Sequence, residues 1–518
     1  MRYSLRININ VCRMLYFMDP MTPFPCQLEL IAFPDSDFAY VIDELLHLLH
    51  SFPEILERLE ADLDRHALVL KQARLNHRRA CAGTPHLPGL DDPDPVEAIA
   101  PSELKLGIGR RPMPAQDVLF CLVCRYFLDG VKSVSARSFF AESRTVARYF
   151  SMQGRSCPAG STITHNVNLV SQATLDLVLD RIITTIQSRN LDDFAEVTLD
   201  STAVRGNTAW PADSELIAKI ARRLHRGLCQ PILEGVATSV ASRIGARCED
   251  IEAARQSIGL ASGKGAKEVR QHHYRLMIDA AEYVPQEMGE ILDHLATWEH
   301  GHRPGSRGYQ RWMELQARMT EDVSQLDSLI HTTCRRVIVG EHVGTAERVL
   351  SVADPSVAWI EKGGREPEVG YRVQVAKSAR QFVVAVSVPE GNQADASMFQ
   401  QTCRDAFERI GTTPATCSAD DGYASKANQQ WQAQQGVQTK SFSGAKGKKI
   451  AGEEAWESKP YREARRMRSA VEGLIGQLKA LFGFGRVWRR GLEAVKAELT
   501  GKAIVYNLYR LQQRVHTC

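Results

Sequence analysis

The sequence predicts an α/β protein in which one sheet is assembled from short strands. A long helical insertion is set into it and a helical domain precedes it. Three observations carry this. Six short runs rich in β-branched or alternating apolar residues stand at 194–200 (FAEVTLD), 357–360, 371–375, 382–388, 416–420 and 437–442. About 150 residues separate the first run from the second, and their apolar positions, such as Leu216, Ile217, Ile220, Leu224 and Leu228, recur at helical spacing. Acids mark the joints: the first run ends on Asp200, the fifth on Asp420, and a proline-free stretch after Pro460 carries Glu472.

The totals set bounds. A chain of 518 residues is long enough for two or three domains, and 44% hydrophobic with 24% charged residues is an ordinary globular balance. The net charge of +3 does not by itself argue for nucleic acid. Its distribution says more: residues 441–490 hold 12 Lys and Arg against 5 Glu, a local excess of +7 around Glu472. The 12 cysteines are scattered, which fits a reducing cytosol. Cys121 and Cys124 form a CxxC, but inside the apolar run VLFCLVCRYF and without partners, so they read as core residues of a helix. No apolar run approaches the length of a membrane span, and Asn8, Asn10 and Arg13 interrupt any secretory signal at the start. The expected setting is cytoplasmic, without a membrane.

Taken in order, residues 1–34 are expected to be disordered or extended. Residues 35–80 read as a helical segment on the spacing of Leu45, Leu48, Leu49, Ile55, Leu56, Leu59 and Leu63, and 81–104 as a proline-rich linker. Residues 105–190 read as a compact helical domain with a glycine turn at Gly130 and a helix from about His165 to Ser188. A helix-turn-helix-like DNA module and an ordinary three-helix packing domain both suit it. The catalytic core is assigned to 191–212 and 341–518, with 213–340 as the helical insertion. A structureless loop of that length inside a compact core would count against the assignment. The order strand with Asp, further strands, helix, strand with Asp, helix, strand, helix with Glu matches a ribonuclease-H-like fold.

The stretch Arg465 to Lys479, RRMRSAVEGLIGQLK, reads as one helix burying Val471, Leu474, Ile475 and Leu478. Arg468 and Glu472 are four residues apart, and Lys479 lies seven beyond, so one face carries a cation, a carboxylate and a cation. A solvated ion pair is the ordinary outcome of such spacing. A carboxylate ligand to a divalent metal, flanked by cations for a phosphodiester, is the other.

The spacing Arg-x3-Glu-x6-Lys resembles the signature around the third acidic residue of DDE insertion-sequence transposases. So do the contexts VTLDSTAV around Asp200, ATCSADDGYAS around Asp420, and the flanking NTAWPADSELI, EVGYRVQVA and EGNQADASMF. Together they resemble the ISNCY-type and related families over roughly residues 105–512. The resemblance implies that Asp200, Asp420 and Glu472 are catalytic and hold Mg2+ or Mn2+, in a pair of ions. It implies that Arg468 and Lys479 contact DNA phosphates, and it tips the domain at 105–190 toward DNA binding. The family pattern has a tyrosine three residues before the arginine. This chain has Arg465 there, a further candidate phosphate contact. Asp421 falls at a variable position, Asp213 and Glu215 read as acids of a helix's first turn, and Tyr423 packs beside Asp420. Trp210 reads as a core residue in preference to a base-stacking platform. The implied function is a transposase that binds insertion-sequence ends and catalyses metal-dependent cleavage and strand transfer. Its implied partner is double-stranded DNA, terminal repeats and target, bound by a homodimer or larger assembly. The alternatives are a nuclease of the same fold without strand transfer and an inactive DNA-binding relic.

Overall fold

The computed structural model describes residues 35–65, 113–128, 143–208, 212–233, 235, 237–297, 307–361 and 366–515. The expected N-terminal extension, the linker at 81–104, Gly130 and Trp210 lie outside the described residues. The protein is α/β, mostly helical, with one mixed sheet. The chain divides into two compact units, the first from residues 1–63, 113–206 and 371–518, the second from 64–112 and 207–370.

Among the described residues the first unit begins with helix α1 (Asp35–Ser51), followed by helical residues 54–63, and continues through α2 (Ala115–Leu128), α3 (Arg144–Met152), α4 (Gly160–Leu169) and α5 (Gln172–Ser188). Cys121 and Cys124 are fully buried in α2, and burial raises both thiol pKa values, as core residues require. The helix expected from His165 to Ser188 is two helices. Val170 adopts extended dihedrals, and Ser171 restarts the chain as an N-cap, its side chain accepting from the Thr174 N–H.

Strand β1 (Glu196–Arg205) follows. The sequence suggested a strand ending at Asp200. It runs five residues further, and its interior positions are buried throughout, so Asp200 lies mid-strand. The sheet order is β2-β3-β1-β5-β6, with β4 pairing β3 off that path; its further strands are β2 (Ala358–Ile360), β3 (Glu368–Ser378), β4 (Val383–Ser387), β5 (Thr416–Ala419) and β6 (Thr439–Phe442). β5 runs parallel to β1 and to β6, while β4 pairs antiparallel with β3. Between these strands lie α10 (Asp395–Ile410), α11 (Lys426–Gln434) and, after β6, α12 (Gly444–Ala451), α13 (Lys459–Arg468), α14 (Ala470–Leu481) and α15 (Leu492–Val515).

The stretch GAKGKK, which reads as a basic loop, is helical in α12. Its two glycines are poor helix formers, but the Asp421 carboxylate accepts the Gly447 N–H at 2.9 Å. A Cβ on Gly447 would stand 2.1 Å from the Phe442 carbonyl oxygen, so only glycine fits this approach of α12 to β6.

The second unit is built on α6 (Asp213–Leu228), α7 (Thr238–Leu260), α8 (Ala266–Thr297) and α9 (Arg307–Thr333). Leu216, Ile220 and Leu224 pack with Ile244, Met277, Val284, Leu315 and Leu326 in one core. In sequence Met313 to Ile330 shows helical spacing like that of α6, whereas the stretch between them, which forms α7 and α8, reads as polar and basic. The buried face of α7 is made of Val240, Ala241, Ile244, Cys248, Ile251, Ala254 and Ile258, small or widely spaced side chains between charges. Asp213 stands in the first turn of α6 and pairs with Arg336; Arg223 pairs with the buried Asp322. Residues Glu368–Gly370 of β3 pair antiparallel with β2 within this unit.

Candidate active site

The two aspartates are brought together by strand register. On β1 and β5 the paired residues are Glu196 with Thr416, Val197 with Cys417 and Thr198 with Ser418. The Thr198 and Ser418 hydroxyls lie 3.0 Å apart, so both side chains point to one face. Two residues further along each chain come Asp200 and Asp420, and strand alternation returns them to that same face. Neighbouring strands lie about 4.8 Å apart, so the two residues are neighbours across β1 and the end of β5. Asp200 is 7% exposed, and its Oδ1 accepts the Ser201 N–H at 2.7 Å. Asp420 caps the short turn Asp421–Tyr423, its Oδ1 accepting the Gly422 N–H at 2.9 Å. Asp421 faces elsewhere, toward the start of α12.

Tyr423 is fully buried beside them. Its hydroxyl donates to Gln374 Oε1, and Gln374 Nε2 donates to Asp395 Oδ1 at 3.0 Å. Arg372 Nε lies 3.4 Å from that same oxygen. Burial holds the Tyr423 hydroxyl protonated well above its usual range, and the charges of Asp395, Asp200 and Asp420 reinforce this; a hydrogen bond with Ser201 opposes them. The charges of three carboxylates therefore reach one tyrosine. A Cβ built on Gly422 would stand 3.0 Å from Asp420 Oδ1 and 3.2 Å from Asp395 Oδ2, which fixes how closely these two approach.

Asp395 and Gln374 were not singled out from sequence. Both lie in quoted segments, EGNQADASMF and EVGYRVQVA, but as context only. The available signal was an aspartate opening a helix after the turn-forming EGNQ.

Glu472 stands in the first turn of α14, which packs against β1. Its side chain is 65% exposed and takes an ion pair from Arg468 Nη2 at 2.6 Å. The single helix expected here breaks at Ser469 into α13 and α14, and the pair spans the break. Lys479 Nζ donates to the Ala203 carbonyl at 2.9 Å, fastening α14 to β1. The Arg465 guanidinium lies 3.8 Å over the Trp456 ring and donates to the Trp456 carbonyl at 3.1 Å. Among the described residues no three His, Cys, Asp or Glu side chains stand together closely enough to hold a metal ion. Asp420 and Asp395 thus both approach Gly422, and Glu472 stands on the neighbouring helix against Arg468. All are hard oxygen donors, the type that suits Mg2+ or Mn2+.

Residues 331–508 match the family model described as Transposase DDE domain. This supports a DDE insertion-sequence transposase, the family the sequence contexts resemble. The matched span contains Asp395, Asp420 and Glu472 and begins after Asp200. No curated protein and no solved structure matches the chain. Among the described residues no helix is long and apolar enough to cross a membrane.

Proposed function

We propose that the protein is a transposase that binds the ends of an insertion sequence, cleaves them and joins them to target DNA. The reading is supported by the pairing of β1 with β5, whose paired residues 196–198 and 416–418 lie two residues before Asp200 and Asp420, in a chain whose residues 331–508 match a transposase DDE domain. The sheet with its flanking helices is read as a ribonuclease-H-like core, and the helices of 105–190 as the DNA-binding part. In this reading Asp200, Asp420 and Glu472 hold Mg2+ or Mn2+, which supplies positive charge for the reacting phosphate. The chain's own groups do the positioning. The amides of Ser201 and Gly422 fix one oxygen of each aspartate, leaving the other oxygen's direction set. Tyr423, kept protonated, holds Gln374 and through it Asp395 behind the pair. Arg468 neutralises Glu472 until DNA arrives, then turns to a phosphate, with Lys479 and Arg465 as the other cations of that face. Water attacks the phosphodiester at the element's end and the 3′-oxygen leaves with a proton. The freed 3′-hydroxyl then attacks a target phosphodiester in the same way, exchanging one ester bond for another.

Purified protein, duplex carrying the element's terminal sequence and Mn2+ test the reading. Wild type should nick at the end, and Glu472→Gln and Asp420→Asn should lose nicking by at least about 100-fold while binding DNA as before. Nicking by Glu472→Gln at the wild-type rate would remove Glu472 from the site. Joining of the nicked end to a second duplex separates a transposase from a nuclease.

A further inference from the structure

Residues 483–490, GFGRVWRR, connect α14 to α15 and are fixed from two sides. Along the far end of β1 the Arg205 N–H donates to the Gly485 carbonyl at 3.0 Å, and the Val487 N–H donates to the Arg205 carbonyl at 2.9 Å. From α15, Glu498 and Lys502 form an ion pair of 2.8 Å with side chains 1% and 0% exposed. Glu498 accepts the N–H groups of Trp488, at 3.0 Å, and Arg489, at 2.8 Å. Lys502 donates to the carbonyls of Gly483, at 3.0 Å, and Arg486, at 2.8 Å. A buried ion pair contributes little net stability compared with apolar residues of the same volume. Here its remaining hydrogen bonds go to the loop backbone, so its effect is to hold the loop in one conformation.

What the loop then displays is aromatic and basic. Trp488 is 47% exposed, with the Arg486 guanidinium 4.2 Å from its ring centroid. Arg486 and Arg490 are exposed, and Arg489 is half-buried and donates to the Asn168 carbonyl. A rigid backbone presenting a large exposed ring among cations is the arrangement that stacks a base and tracks the adjoining phosphates. The loop is bonded to β1 five residues beyond Asp200, about 16 Å along the strand. A few nucleotides span that distance.

We propose that residues 483–490 are a DNA contact in which Trp488 stacks on an unpaired base while Arg486 and Arg490 meet the flanking phosphates. A base inside a duplex keeps both faces covered, so the ring selects strands with an exposed base. This rests on the DNA-binding reading above. The test compares a short mixed-sequence single strand with the same strand annealed to its complement, using wild type, Trp488→Ala and Trp488→Phe. Trp488→Ala should weaken single-strand binding roughly 5- to 100-fold and leave duplex affinity within about twofold, while Trp488→Phe keeps most of the single-strand affinity. Thermal unfolding of both variants should match wild type, since the ring is half exposed. If Trp488→Ala binds the single strand as wild type does, or weakens both DNAs equally, the loop is not a stacking site. If wild type binds neither DNA, the DNA-binding reading falls and this assignment with it.

Discussion

Gly422→Ala displaces the proposed ligand Asp420 without removing a charge or a hydrogen bond. The added methyl would lie 3.0 Å from Asp420 Oδ1, 3.2 Å from Asp395 Oδ2 and 3.7 Å from Asp395 Cβ. Ordinary contact to a methyl needs 3.4 Å or more, so each carboxylate oxygen must give way by a few tenths of an ångström. Metal ligands tolerate about 0.2 Å, and a misplacement of about 1 Å at a reacting centre costs about 100-fold. A shift between these limits predicts a loss of roughly 3- to 10-fold in nicking rate and a raised Mn2+ requirement. Stability should change by less than about 1 kcal/mol. Gly422 is exposed, which limits overpacking, and the alanine's smaller unfolded-state entropy offsets part of any strain. Single-turnover nicking of terminal duplex across a Mn2+ titration measures the effect. Gly289→Ala, where nothing lies within 4 Å of the added methyl, is the control. A Gly422→Ala enzyme with the wild-type rate and metal requirement would show that the position of the Asp420 carboxylate does not matter to the reaction.

Three further outcomes follow from the same structure. Arg468→Ala frees Glu472 and removes the proposed phosphate contact, so it should weaken DNA binding and reduce the salt slope by about one, read from affinities across a salt series. Lys479→Ala should in addition lower stability by about 1 kcal/mol in urea unfolding, because it removes the bond to the Ala203 carbonyl; unchanged stability would mean that this bond does not fasten α14. Lys377 is fully buried, and burial lowers its pKa from 10.5 to about 8, with Glu196 and Asp192 opposing. Between pH 8 and 10.5 the unfolded chain therefore binds more protons than the folded one, and stability rises with pH by about 3 kcal/mol from this group. Lys377→Met should abolish that rise, so its stability advantage over wild type should shrink by about 3 kcal/mol across the window. A difference between the two proteins that stays constant from pH 7 to pH 10 in urea unfolding at matched pH values would refute this.

What the sequence by itself determined lies within one element or between residues a turn apart. The Arg468–Glu472 pair follows from helical spacing and survives the break at Ser469, because the intervening dihedrals stay helical. The strand runs around Asp200 and Asp420 are legible from β-branched alternation, and their contexts resemble the family whose DDE domain matches residues 331–508. The core placement of Cys121 and Cys124 follows from their apolar run. Tertiary structure decided which residues meet. Asp395 is tied to Gln374 on a strand and through it to Tyr423 on a turn, and no local periodicity records a contact between positions 21 and 49 residues apart. α12 hides behind glycines and lysines because part of what secures it, a bond to Asp421 and the approach to Phe442, comes from elsewhere in the chain. The loop at 483–490 reads as an ordinary basic connection until the Glu498–Lys502 pair is seen to fix it, since a buried ion pair four residues apart looks in sequence like any solvated one. Helical spacing shows which residues share a face, but only packing determines whether that face is buried, and burial is what sets the strength of the charges on it.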